Sequence, residues 1–414
     1  MGPAEKLRGS KSKLLEGKKI LVAVSSSIGA IETPKLIREL IRHGAQVYTI
    51  ATEESKNIIG EYALEFASGN RVHYKITGNV EHVSLYEICH AMIVHPATAN
   101  IISKIALGIA DNIVNTTATM FIENKPIFIV PSMHKNMLHA IRNHIDTLKE
   151  RQVFIVSPRM EEEKVKVPSI EEIVLKVIEV LGKGSYNNGC VNGAYNKHGS
   201  QSNKKNKKIL ILSGGTAEFI DRVRVITNLS SGKTGYYIAE AFSKEGHNVE
   251  VIYALGKEPP YYVKSHKAIT SKEMLNKALE LGKDADIIVS CAAISDFIPD
   301  GFVDGKIKSN RDITLKLKRN IKVIKELRRA FPEKTIIGFK AEYGVDKNKL
   351  IEIGREKLRE YNLDYIVAND LSKYYFGEEH NEVILIGKNS IMEFKGKKSE
   401  IMERVVKEIL RGNE

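Results

Sequence analysis

Apolar residues along this chain fall into two rhythms. Short unbroken runs of aliphatic and β-branched residues recur through the first half as KKILVAVS, QVYTIAT, AMIVHPA, KPIFIVPS and VFIVS. Between them lie stretches with helical spacing. TPKLIRELIRHG is one: Ile37, Leu40 and Ile41 form a buried stripe, Thr33 is the expected N-cap and Pro34 the first-turn proline. Strands that are apolar throughout, alternating with helices, predict a parallel sheet covered on both faces.

The pattern breaks at residues 182–206, where GKGSYNNGCVNGAYNKHGSQSNKKN is rich in Gly, Asn, Ser and Lys and has no apolar period. This segment reads as a flexible linker. The rhythm restarts at KKILILSGG and continues through HNVEVIYAL, ADIIVSCAA, TIIGFKAE and DYIVAND. The expected organisation is therefore two doubly wound, Rossmann-like α/β domains with mainly parallel sheets, residues 18–181 and 207–412, joined by the linker 182–206.

Composition narrows the setting. At 414 residues the chain is long enough for two ordinary domains, each with its own core. The amino-terminal MGPAEKLRGSKSKLLEGKK is polar and basic, and no later run reaches the length of a membrane span, so a cytoplasmic protein is expected. The three cysteines, Cys89, Cys190 and Cys291, lie far apart without the paired spacing of a zinc site or redox couple. A net charge of +12 would suit nucleic acid, but Lys and Glu are interleaved along helical stretches such as EEIVLKVIEVLGK, so a solvated surface is the expectation and nucleic acid is not.

In open parallel sheets ligands bind beyond the carboxyl ends of the strands. SSSIGA, after the first strand, and PATAN, after AMIVH, supply hydroxyls and small residues there, although a tight strand-to-helix turn would ask for the same residues. SSGKT resembles the end of a P-loop, but Thr227 stands where the loop needs its first glycine, so Lys233 is not a Walker lysine. SGGT at 213–216 lacks the third glycine of the dinucleotide fingerprint.

Taken in order, SSSIGAIETPKLIRELIRHG, EHVSL, HPATANIISKIALGIADNIVNTT and PSMHKNM resemble the FMN-containing cysteine decarboxylases. The resemblance implies FMN contacts at Ser26, Ser27, Thr52, Thr98, Ala99, Asn100 and Ser132, and makes His82 the catalytic acid/base, a task suited to imidazole. His134 replaces the family asparagine that holds the substrate carboxylate, and is expected to be catalytic here. The family's flap cysteine has no counterpart in SPRMEEEKVKVPSI, and Cys190 in the linker is the remote substitute. His95, ending a buried strand before Pro96, reads as structural or flavin-adjacent.

The second half, through SGGTAEFIDRVRVITNLSSGKTGYYIAEAF, SCAAISDFIPD, GKIKS, IGFKAE and YIVANDLS, resembles the partner phosphopantothenate–cysteine ligases. Together the two resemblances imply a fused, archaeal-like enzyme of coenzyme A biosynthesis. Its ligase would use CTP with Mg²⁺ to join 4′-phosphopantothenate and cysteine through an acyl-cytidylate. Lys306 matches the lysine tied to forming that intermediate, and Asn228 the asparagine tied to its conversion. Nucleotide contacts are implied at Ser290, Cys291, Ala292, Asp296, Lys306, Phe339 and Lys357, and at Ile321, Lys322, Val323 and Ile324, where the family's Pro and Asp are replaced by Ile321 and Lys322. No resident metal site is expected. Trimer-based flavin sites and ligase dimers are further implications. Two alternatives stay open at this point: a nonenzymatic, regulatory flavoprotein, and a flavin prenyltransferase-like enzyme fused to a nucleotide-binding domain.

Overall fold

The structure is a computed structural model and describes residues 2–161, 164–182, 206–310, 312–375 and 377–412. Most of the expected linker, with Cys190, lies outside the described residues. The chain divides into two compact units, Met1–Gly199 and Ser200–Glu414.

The first unit is built on strands β1 (Lys19–Val24), β2 (Gln46–Ala51), β3 (Val72–His73), β4 (Ala91–Ala97), β5 (Ile127–Pro131) and β7 (Val153–Ile155). They form one parallel sheet in the order β3-β2-β1-β4-β5-β7. Three short strands, β6 (Met133–His134), β8 (Arg159–Glu161) and β9 (Lys164–Lys166), make a separate antiparallel flap in the order β6-β9-β8. The helices are α1 (Pro3–Leu7), α2 (Thr33–Arg42), α3 (Glu61–Ser68), α4 (Glu81–Ile88), α5 (Ala99–Leu107), α6 (Ile113–Phe121), α7 (Lys135–Ala140), α8 (Arg142–Glu150) and α9 (Ile170–Leu181).

The unbroken apolar runs are strands because both of their faces are covered. Ile20 through Val24 are all fully buried, as are Leu36, Ile37 and Leu40 of α2. At about 1.5–3 kcal/mol per large aliphatic side chain, this burial outweighs local preferences. Thr33 departs from its expected role: it is the first residue of α2, not its N-cap, because its hydroxyl is committed to the buried His95 of β4, 2.9 Å from Nδ1.

The second unit contains β10 (Lys208–Ser213), β11 (Ala217–Phe219), β12 (Val225–Thr227), β13 (Asn248–Tyr253), β14 (Lys264–Lys267), β15 (Ile287–Ser290), β16 (Phe297–Pro299), β17 (Leu317–Arg319), β18 (Thr335–Glu342), β19 (Tyr365–Asp370), β20 (His380–Gly387) and β21 (Ile391–Lys397). Its helices are α10 (Lys233–Lys244), α11 (Ser271–Leu281), α12 (Val323–Ala330), α13 (Lys347–Glu360) and α14 (Lys398–Arg411). Eight strands pair in the order β14-β13-β10-β15-β18-β19-β20-β21, parallel as far as β19 and antiparallel beyond it. The hairpins β11–β12 and β16–β17 stand apart from that sheet.

In each unit the strand order reverses beside the first strand, between β1 and β4 and between β10 and β15. Chain direction there diverges to either side, leaving a crevice at the carboxyl edge. Among the described residues no helix is long and apolar enough to cross a membrane, and no group of three or more His, Cys, Asp or Glu could hold a metal ion.

Candidate functional site

At the carboxyl edge of the first sheet, the loops after β1, β4 and β5 meet through hydroxyl groups. Ser27 Oγ lies 2.8 Å from Ser132 Oγ. Ser25 Oγ donates to the Pro96 carbonyl at 2.7 Å and accepts from the Thr98 N–H at 3.3 Å, tying β1 to the start of α5. Thr98 is the N-cap of α5, its Oγ1 accepting from Ile101 N–H at 3.3 Å. Ala99 is buried beneath that cap, while Asn100 and Ser26 are exposed to whatever fills the cleft.

Backbone must approach closely here. A Cβ on Gly29 would stand 3.2 Å from Ser132 Oγ, 3.2 Å from Val167 Cγ1 and 3.3 Å from Pro96 Cβ. Thr52, at the end of β2, donates its N–H to the Val24 carbonyl at 2.9 Å, yet its buried Oγ1 has no partner among the described residues. A cradle of hydroxyls, a capped helix N-terminus and an orphaned buried hydroxyl fit the phosphate and polar ring edge of a flavin.

His82 sits in the first turn of α4, the end of that helix nearest the carboxyl edge, because α4 runs down to the start of β4. Its Nδ1 is buried without a partner among the described residues. The turn before it is strained, Val80 having φ 51°, and is held by Glu81, which accepts from Thr77 N–H at 2.7 Å and from the Thr77 hydroxyl. These donors hold the Glu81 carboxyl down at about 2, so it stays charged. His134 is exposed on the flap strand β6 and caps α7, its Nδ1 accepting from Asn136 N–H at 3.2 Å. His95 is fully buried with Nε2 unpartnered among the described residues, and burial pushes its pKa down to about 4.

In the second unit Asn228 follows β12 directly, and its Nδ2 donates to the carbonyls of Ala293 and Ile294, both at 3.4 Å. Thr216 Oγ1 accepts from Ser295 N–H at 3.0 Å, so the loops after β10 and β15 are stitched together. Ser290 ends β15. Cys291 lies just beyond it with Sγ on the Leu212 carbonyl at 3.0 Å, and burial raises its thiol to about 12, so the thiol stays protonated near neutral pH.

Asp296 and Lys322 form an ion pair. Asn320 reinforces that junction by donating to the Ser295 carbonyl at 2.7 Å and to Ser271 Oγ at 2.9 Å. Ile321 is exposed, Val323 is 2% exposed with its side chain in the core, and Ile324 is half-buried against that core. Ala292 also packs on that core and Phe339 is half-buried in β18. Lys357, in the last turn of α13, pairs with Glu360 at 2.5 Å, and its charge and that of Lys322 both act on Tyr361. Lys306 is exposed in the loop between β16 and β17. Lys233 is turned away, toward Glu379 and the Gly377 carbonyl.

Sequence reasoning missed Ser25, Gly29 and the Thr33–His95 pair. Ser25 could have been found as the first hydroxyl of the SSS run, buried directly after the strand, but its partner Pro96 is distant in sequence.

Residues 8–182 match the family described as Flavoprotein, and residues 204–412 match the DNA/pantothenate metabolism flavoprotein C-terminal domain. The coenzyme A biosynthesis bifunctional protein CoaBC of Methanocaldococcus jannaschii is 58% identical over 410 residues, covering 99% of this chain and 97% of that protein. The protein of the same name from Thermococcus kodakarensis is 40% identical over 410 residues, covering 97% and 96%. A crystal structure of the DNA/pantothenate metabolism flavoprotein from Streptococcus pneumoniae, 28% identical with a TM-score of 0.44, covers 50% of this chain and 99% of that one. Likeness of this degree over both halves and nearly the full length places the chain in the CoaBC family of bifunctional coenzyme A biosynthesis proteins.

Proposed function

We propose that this chain converts 4′-phosphopantothenate, cysteine and CTP to 4′-phosphopantetheine at two separate sites. The observation that carries this reading is the full-length match, in which a flavoprotein half and a ligase half follow one another as they do in the 58% identical relative. The chain is an enzyme of coenzyme A biosynthesis with decarboxylase and ligase activities, which sets aside the regulatory and prenyltransferase alternatives.

In the ligase half the substrate carboxylate attacks the α-phosphorus of Mg²⁺-bound CTP and pyrophosphate leaves. Lys306 offsets the charge that develops on the phosphoryl oxygens. The cysteine amine then attacks the acyl carbon of the acyl-cytidylate and cytidine monophosphate leaves. Asn228, steadied by two backbone carbonyls, presents its carboxamide to this second step. The Asp296–Lys322 pair offers both an acceptor and a donor to the base, which admits pyrimidines other than cytosine.

In the flavin half Ser26, Ser27, Thr52, Thr98, Ala99, Asn100 and Ser132 hold FMN. When bound, FMN would take two electrons from the cysteinyl thiol, which makes the neighbouring carboxylate labile, and would return them after CO₂ leaves, so the conversion is redox-neutral overall. His82 takes and returns the proton of that exchange at the edge of the sheet. His134 holds the substrate carboxylate and later delivers a proton to carbon. The 3₁₀ turn next to Ser27 exposes Ile28 at 73% and Ile31 at 51%, which favours a second copy of the chain completing the flavin site, in keeping with trimeric flavin-domain contacts and ligase dimers.

Incubating the purified chain with phosphopantothenate, cysteine, CTP and Mg²⁺, with and without FMN, and identifying products by mass tests the whole reading. Phosphopantothenoylcysteine without added flavin and phosphopantetheine with it are expected; neither product from a folded, flavin-loaded chain would overturn it.

A further inference from the structure

The two residues assigned to ligation stand on different arms. Asn228 ends the β11–β12 hairpin, and Lys306 lies in the loop that β16 and β17 hold. Neither arm belongs to the main sheet, so something must fix one against the other.

A seam of hydrogen bonds does this. Val303 N–H donates to the Ile220 carbonyl at 3.1 Å, and Arg222 N–H to the Gly305 carbonyl at 3.0 Å. Ile307 N–H donates to Asp221 Oδ2 at 3.0 Å, and Arg224 Nη1 donates to the Ile307 carbonyl at 3.1 Å. Lys306 is thus flanked by two pinned residues, with its own side chain left exposed between them. Asp221 is the hub: fully buried, it also accepts from Arg224 Nη1 at 2.6 Å and from Val223 and Arg224 N–H at 2.7 Å each.

We propose that Asp221 is a positioning residue that locks the Lys306 arm onto the Asn228 hairpin, so that both ligation steps use one aligned site. The proposal rests on the roles given above to Lys306 and Asn228. Its donors, the Ile307 N–H foremost, hold the Asp221 carboxyl well below the usual carboxylate range, so the lock does not titrate near neutral pH.

A narrower role is that Asp221 only shapes its own turn through Oδ1. Asp221→Asn separates the two. Asparagine keeps an acceptor for Val223 and Arg224 N–H but turns an NH₂ group toward the Ile307 N–H and the Arg224 guanidinium, so donor faces donor and the seam opens.

The test uses the full-length enzyme. Hydrogen exchange in Asp221→Asn should rise about tenfold or more at residues 303–308 while β18–β21 keep their protection. Pyrophosphate release should fall about tenfold to a hundredfold, the loss expected for an ångström-scale misplacement. Combined with Lys306→Gln, the same substitution should add little further loss, since its effect passes through Lys306. Unchanged exchange at 303–308, or an equal loss in the Lys306→Gln background, overturns the proposal. Wild-type pyrophosphate release by Lys306→Gln alone would instead overturn the role of that lysine, and exchange would still decide whether Asp221 makes the lock. Should Asp221→Asn not fold, Arg224→Met, which has no donor for either Asp221 or the Ile307 carbonyl, must produce the same exchange pattern.

Discussion

Gly235 offers a quantitative check on how the ligase site is built. It lies in the first turn of α10, where alanine would ordinarily stabilise a helix by about 1 kcal/mol relative to glycine. Here the tertiary contact reverses the sign. A Cβ would fall 2.1 Å from Ser213 Oγ, 2.5 Å from Ser213 Cβ and 3.3 Å from Cys291 Sγ. The hydroxyl can rotate away, but Ser213 Cβ is part of β10. Restoring an ordinary carbon–carbon distance needs a shift of about 1 Å between helix and strand. Overpacking of that kind costs about 1–3 kcal/mol, and at the upper end of the range it exceeds the propensity gain by about 2 kcal/mol. For a domain of this size that lowers the ligase-domain melting temperature by about 4–8 °C. Because the start of α10 follows Asn228, amide formation should fall with it while CO₂ release from supplied phosphopantothenoylcysteine is retained. Differential scanning calorimetry of the full-length Gly235→Ala protein, with each activity assayed separately, gives both numbers. The companion Ser213→Gly,Gly235→Ala should recover most of the loss. A Gly235→Ala enzyme as stable as the wild type would refute the reasoning.

Separate sites predict separable defects: His82→Asn should stop CO₂ release and leave amide formation intact, and Lys306→Gln should do the reverse, both read by product mass. Thr52→Val removes a buried hydroxyl that has no partner among the described residues, so the apoprotein should be no less stable in urea while FMN binds about five- to thirtyfold more weakly by fluorescence titration. His95, held at about 4 against an unfolded value near 6.5, stays neutral in the folded protein while the unfolded chain takes up a proton; its contribution is full above pH 6.5 and is lost as pH falls toward 4. Between pH 7 and 5 that loss is about 2 kcal/mol, so denaturation midpoints of the flavin domain should fall less steeply with pH in His95→Gln. His134→Ala should release CO₂ poorly or stall at the oxidised product, whereas Cys190→Ser should make phosphopantetheine normally. The opposite pattern would move the final proton delivery to the linker thiol.

Much of this protein is legible along the chain. Strands such as KKILVAVS and ADIIVSCAA are apolar at every position because both faces of the sheet are covered, and that requirement is written locally. The hydroxyl loops after β1 and β4 are equally local, since chain direction at the strand ends selects small polar residues. Tertiary structure decided what depends on distant partners. Thr33 gave up the N-cap position because His95, 62 residues away, takes its hydroxyl. The flap β6-β9-β8 and the antiparallel pair β20–β21 have short or mixed patterns that mark no period of their own, and they exist because other strands offer them an edge. Val323 and Ile324 belong by motif to a nucleotide-contacting run, and only the fold shows that the Val323 side chain joins the core while that of Ile324 packs against it. Asp221 reads in the sequence as one more turn-forming acid. Only the fold brings Ile307 to it, 86 residues on, because hydrogen-bond partners across a seam are set by the path of the backbone and leave no periodic trace in either segment.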